Sequence, residues 1–250
     1  MVRSLLIRGM LAGFVAGLLA FGVARILGEP SVDRAIAFEE QAHKAAHPGH
    51  QHEDEPELVS RVVQRGIGLF TGVVVYATAF GGLFALVFAF AYGRIGNLSP
   101  RATAALLAAA AFVALVLVPD LKYPPNPPAI GEAETIGQRT ALFVAMIAVS
   151  LAAMLVALAV GRRLVLQFGA WDASLVGGVA FIVLIMAAML LLPAINEVPA
   201  QFPADLLWRF RITSIGIEAV LWTAIGLVFG RLAETVLRSE QRGLWSRQRV

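Results

Sequence analysis

"IGLFTGVVVYATAFGGLFALVFAFAY", residues 67–92, contains no charged side chain. A helix packed on the surface of a soluble protein keeps one polar face, and this stretch has none. About 20 consecutive apolar residues suffice to cross the hydrocarbon core of a bilayer, where only a helix satisfies its own backbone groups. The stretch therefore reads as a spanning helix.

Five further stretches are long and predominantly apolar, at roughly 9–27, 103–119, 141–160, 174–192 and 212–230. The chain is 58% hydrophobic and 15% charged, with mean hydropathy +0.76. Soluble domains are typically about 45–50% apolar and about 25% charged. The expected fold is all-α: a polytopic integral membrane bundle of about six transmembrane helices, forming one transmembrane domain over 1–250. Ser99-Pro100 supplies an N-cap and a first-position proline for the third span. The sixth begins at Arg209 and Arg211, which could snorkel to the interface, with Trp208 and Trp222 as belt residues. The first follows Arg3 and Arg8 and could be a signal peptide. Its length and the lack of a small-x-small cleavage site favour a retained helix. Gly9, Gly13 and Gly17 give that helix a smooth face for close packing.

Six spans put both termini on one side. The Lys/Arg count favours a cytoplasmic location for them only slightly, but the short turns 93–102 and 161–163 carry arginine and no acid. The loop over 28–65 is then external. It contains "HKAAHPGHQHEDE" (43–55), which holds all 4 histidines of the chain. A helix starting at Ser31 would place Glu39, His43 and His47 on one face. Beyond Pro48-Gly49 an extended chain would point His50 and His52 to the same side. Neutral imidazole is a favoured ligand of divalent transition metals, and carboxylates add harder donors. Glu39, His43, His47, His50 and His52 thus read as a metal collector. The alternative is a solvated loop with incidental histidines, and their clustering weighs against it. Nothing in the loop selects one metal.

Two other external loops are rich in proline. "PDLKYPPNPPAIGEAETIGQRT" (119–140) offers Asp120, Asn126, Glu132 and Glu134 as oxygen ligands. "LPAINEVPAQFPADLLWRFR" (192–211) offers Asn196 and Glu197, with Asp205 at the next helix start. These loops read as stiff vestibule walls or as ordinary helix ends. Within the sixth span Glu218 stands out, since an intramembrane carboxylate marks a pathway unless it is interfacial or tied to an arginine. Asn126, Asn196, Glu197 and Glu218 are the candidate pathway residues.

The chain has no phosphate-binding loop, no HExxH or GxSxG motif and no cysteine, so no enzymatic activity is expected. No cofactor is expected to be bound permanently. The scattered basic residues and net charge of +3 give no nucleic-acid footprint. The partners expected from composition are the lipid bilayer and, possible for any such bundle, further copies of the chain.

"KYPPNPPAIG" (122–131), "TIGQRT" (135–140), "LPAINEVPAQFPADLLWRFR" (192–211) and "LWTAIGLVFGRL" (221–232) resemble the CbtA family of predicted bacterial cobalt transporter subunits. The resemblance spans most of the chain. It implies a multi-pass protein of the bacterial inner membrane that takes up cobalt for cobalamin biosynthesis. It further implies Co²⁺ or a similar divalent metal as the transported ion. The partner it implies is a second, small single-span cobalt transporter subunit (CbtB). It supplies no established ligand set. The alternatives are a nickel or zinc importer subunit, and a non-transporting membrane metal sensor or scaffold.

Overall fold

The computed structural model describes residues 2–46 and 59–247, with side chains described up to Arg238 except those of His43 and Ala46. Among the described residues there are helices and no strands. In chain order they are α1 (Val2–Val23), α2 (Glu29–Ala46), α3 (Arg61–Val63), α4 (Leu69–Ala91), α5 (Pro100–Phe112), α6 (Val118–Lys122), α7 (Ile136–Leu191) and α8 (Ala204–Arg247). One π-helical turn joins each of the pairs α1–α2, α3–α4 and α5–α6, so these elements merge into longer helices. Among the described residues, five helices are then long and apolar enough to cross a membrane. Large apolar side chains lie on their outer surfaces, with Leu190 and Leu191 81% and 85% exposed. Such exposure is costly in water and favourable in lipid. This is the build of a multi-pass helical membrane protein.

Two of the π turns have a visible cause. The turn at Ala24–Gly28 precedes Pro30, and the turn at Val113–Leu117 precedes Pro119. Proline lacks the N–H of the i→i−4 bond and its ring crowds that carbonyl. One wider turn relieves both problems without ending the helix. The expected helix from Ser31 is consequently a continuation of the first spanning helix through Ala46. At the start of α5 the Ser99 hydroxyl accepts the Ala102 N–H at 3.2 Å, which caps a helix opened by Pro100.

The chain divides into two compact units, residues 1–111 with 212–250, and residues 112–211. In the first unit α1 and α4 run antiparallel at very close range. A Cβ on Gly9 or Gly13 would overlap the carbonyl oxygens of Gly81 and Ala77, and one on Gly17 would sit 2.9 Å from the Ala77 Cβ. Small residues let the backbones approach this closely, and packing contacts replace the hydrophobic drive that lipid cannot supply. Helix α8 packs on α4 through rings. Trp222 is 5% exposed and meets Phe80 edge-on at 6.0 Å, while Phe229 meets Phe88 at 5.0 Å. Trp222 is therefore a core residue rather than an interfacial belt residue, whereas Trp208 is 66% exposed. On either side of the first loop, Arg61 pairs with Glu29 at 2.5 Å and with Asp33 at 3.0 Å, which ties α3 to α2.

The second unit is built on α7. Its 56 residues would extend for about 84 Å as one rod, against a hydrocarbon core of about 30 Å. The backbone breaks at Gly169 (φ 79°, ψ 168°), a conformation suited to glycine. The halves fold back on each other. A Cβ on Gly177 would lie 2.9 Å from the Ala157 carbonyl oxygen, and one on Gly161 would lie 3.4 Å from that of Ala173. Met146, Ala153 and Ile185 form a core with Val118, packed against Phe181 and Met189. The stretches 141–160 and 174–192 lie in the two halves of this antiparallel hairpin.

Candidate functional site

Helix α6 ends because proline follows. The residue before a proline is pushed out of the α region, and Tyr123, ahead of Pro124, adopts φ −128°, ψ 74°. The released loop is then fastened to the end of α7. Lys122 Nζ donates to the Met189 carbonyl at 2.7 Å, a cation on the carbonyl end of a helix. The Tyr123 hydroxyl donates to the Pro193 carbonyl at 2.8 Å. Two loops that are distant in sequence become the walls of one cavity.

That cavity has a volume of roughly 430 Å³. Ile130, Ile136, Phe143 and Ile195 give it an apolar wall, while Asp120, Asn126, Arg139, Asn196, Glu197 and Arg211 supply its polar groups. Glu197 is the best anchored of these. Its carboxylate accepts the Glu132 backbone N–H at 3.1 Å and stands 3.5 Å from Arg139 Nε. The Thr135 hydroxyl, then the Glu132 N–H and the Arg139 charge hold the Glu197 carboxyl below the usual carboxylate range. Arg139 also donates from Nη2 to the Glu132 carbonyl at 3.3 Å. Its guanidinium lies against Gly131, where φ is 109° and any Cβ would collide with it. Arg211 Nη2 donates to Asn126 Oδ1 at 2.7 Å. Asp120 has no hydrogen-bond or ion-pair partner among the described residues.

Three of the four candidate pathway residues, Asn126, Asn196 and Glu197, therefore line one cavity, together with Asp120. Glu218 does not line it. It lies half-buried on α8 in the other unit, where it interacts electrostatically with Tyr76. Glu39 is partly exposed on α2. His47, His50 and His52 lie outside the described residues, as does the His43 side chain. Among the described residues no three His, Cys, Asp or Glu side chains gather as they would around a resident metal ion. Sequence reasoning missed Arg139, and it read Arg211 as reaching for the interface rather than for Asn126. The available signal was an arginine directly ahead of an apolar run in "GQRT" (137–140), where a spanning helix could have begun without one.

A family model described as "Probable cobalt transporter subunit (CbtA)" matches residues 2–234, nearly the whole chain. A transporter component so described implies partner subunits. No curated protein and no solved structure matched the chain.

Proposed function

Because the chain belongs to the CbtA family of probable cobalt transporter subunits, we propose that it is the membrane-spanning component of a divalent-metal importer that brings cobalt into the bacterial cell for cobalamin biosynthesis. In this reading the chain crosses the inner membrane six times, with α7 counted as two crossings and both termini in the cytoplasm. Arginine in the 93–102 and 161–163 turns supports that orientation. His43, His47, His50 and His52, with Glu39, collect metal outside. The cavity receives it next, with Asp120, Asn126, Asn196 and Glu197 as oxygen donors suited to a borderline dication. Glu218 is a further carboxylate on the path. A small single-span companion, CbtB, works beside the chain, which performs no covalent chemistry and holds no permanent cofactor.

The single observation that carries this reading is the meeting of Asn126, Asn196 and Glu197, from two separate proline-rich loops, around one cavity. Oxygen donors converging on a cavity of this size are what a binding step needs. The test is cobalt uptake by proteoliposomes containing the purified chain, with and without its companion, and with nickel and zinc as competitors. Uptake that cobalt dominates supports the proposal. Uptake dominated by nickel or zinc reassigns the cargo. Metal binding with no uptake in either preparation refutes import and favours a sensor.

A further inference from the structure

The charges around the cavity do not suit a bare dication. Arg139 and Arg211 both line it, and a guanidinium repels a dication about twice as strongly as it attracts a carboxylate at the same distance. Arg139 is partly offset by Glu197 at 3.5 Å. Arg211 has no carboxylate partner among the described residues, only the Asn126 amide oxygen. Arg139 Nε makes no hydrogen bond but has the Glu197 carboxylate at 3.5 Å, whereas Arg211 Nε is buried with neither a hydrogen bond nor an ion pair within the described residues. A buried guanidinium donor without an acceptor, as at Arg211, is unfavourable, and it is satisfied when a ligand brings an acceptor. The same cavity holds Asp120, an acid without a partner among the described residues.

Size gives a second, independent argument. The cavity volume of roughly 430 Å³ is more than ten times the roughly 30 Å³ share of one water, and it falls in the range of small-molecule pockets. A metal ion alone would leave most of that space to water beside an apolar wall.

We propose that the cavity binds its divalent metal as a small carboxylate chelate rather than as the bare ion. The chelator's free carboxylate sits on the Arg211 and Arg139 guanidiniums, whose planar donors match a carboxylate's two oxygens. The metal faces Asp120 and Asn196, and the carbon skeleton of the acid lies on Ile130, Ile136 and Phe143. Each unmatched group then has a partner. The proposal rests on reading the chain as a metal importer, but its test separates the two.

The test is calorimetric titration of the full chain in lipid nanodiscs with cobalt chloride, with citrate, and with a preformed one-to-one cobalt–citrate complex. The expected result is that the complex binds at least about tenfold more tightly than the metal alone. In Arg211→Gln that ratio falls close to one, and Arg211→Lys retains part of it. Equal affinity for metal and complex in the unaltered chain overturns the proposal, and this comparison needs no variant to fold. An unchanged ratio in a well-folded Arg211→Gln overturns it too. Uptake from free cobalt that citrate does not raise would overturn the chelate while leaving import intact. Selective binding of the complex without uptake would support the chelate and refute import.

Discussion

Arg211 donates a 2.7 Å hydrogen bond to the side-chain oxygen of Asn126, which lies 85 residues earlier. The bond joins the first turns of α8 to the proline-rich loop after α6 and closes one wall of the cavity. It is charge-assisted, and Arg211 Nε beside it makes no hydrogen bond among the described residues. Asn126→Ala removes the acceptor and leaves a partly buried guanidinium poorly satisfied. The expected loss of stability is about 1–3 kcal/mol, read as a lower thermal midpoint in detergent. Asn126→Asp restores an acceptor, now charged, and should recover the midpoint. Equal midpoints for the alanine variant and the unaltered chain would contradict this account of the wall.

Gly131 tests how Arg139 is held. The backbone there has φ 109°, and a Cβ would collide with the Arg139 guanidinium. Gly131→Ala combines an unfavourable conformation with a steric clash, at a cost of about 1–3 kcal/mol. It should also move Arg139 away from Glu197. Thermal unfolding reads the first effect, and the acid limb of the stability profile reads the second.

That acid limb belongs in part to Glu197. Its carboxyl is held below the ordinary value of 4.5 by the Thr135 hydroxyl, the Glu132 N–H and Arg139. A depressed folded-state value means that stabilisation is fully present above the unfolded value. It is lost as pH falls through the lower, folded one. Glu197→Gln should therefore flatten the pH dependence of the thermal midpoint below about 4.5. Thr135→Val and Gly131→Ala should shift the same limb upward. A limb unchanged in Glu197→Gln would show that other carboxylates set it.

Replacing His43, His47, His50 and His52 together with alanine tests the collector. A collector raises local metal concentration without taking part in the crossing, so the KM for uptake should rise several-fold with kcat kept. A fall in kcat at saturating metal would instead place the histidines on the path itself.

The apolar runs were legible from hydropathy because lipid imposes a length and a polarity on each crossing. The close pairing of α1 and α4 was half legible. The Gly9, Gly13, Gly17 spacing exposes one smooth face, but its partner at Ala77 and Gly81 follows only from the fold. Helix ends were harder to place: the expected spans stop at 27 and 119, beside Pro30 and Pro119, whereas the helix runs past each proline after a π turn. Trp222 looked interfacial beside two arginines and is instead packed on Phe80. In the cavity, amides and carboxylates were visible as oxygen donors in loops. The two arginines were not, because a guanidinium next to an apolar run looks the same whether it snorkels to lipid headgroups or turns inward to a polar partner.

The most direct test of the central claim, that this chain carries cobalt inward through the cavity between its proline-rich loops, is accumulation of radioactive cobalt in proteoliposomes holding the chain and its companion. Asn126→Ala combined with Glu197→Gln should lower the initial rate by about tenfold or more, the loss of at least about 1.4 kcal/mol of binding or crossing free energy. Absence of accumulation with the unaltered chain, or an equal rate in a well-folded double variant, would contradict the claim.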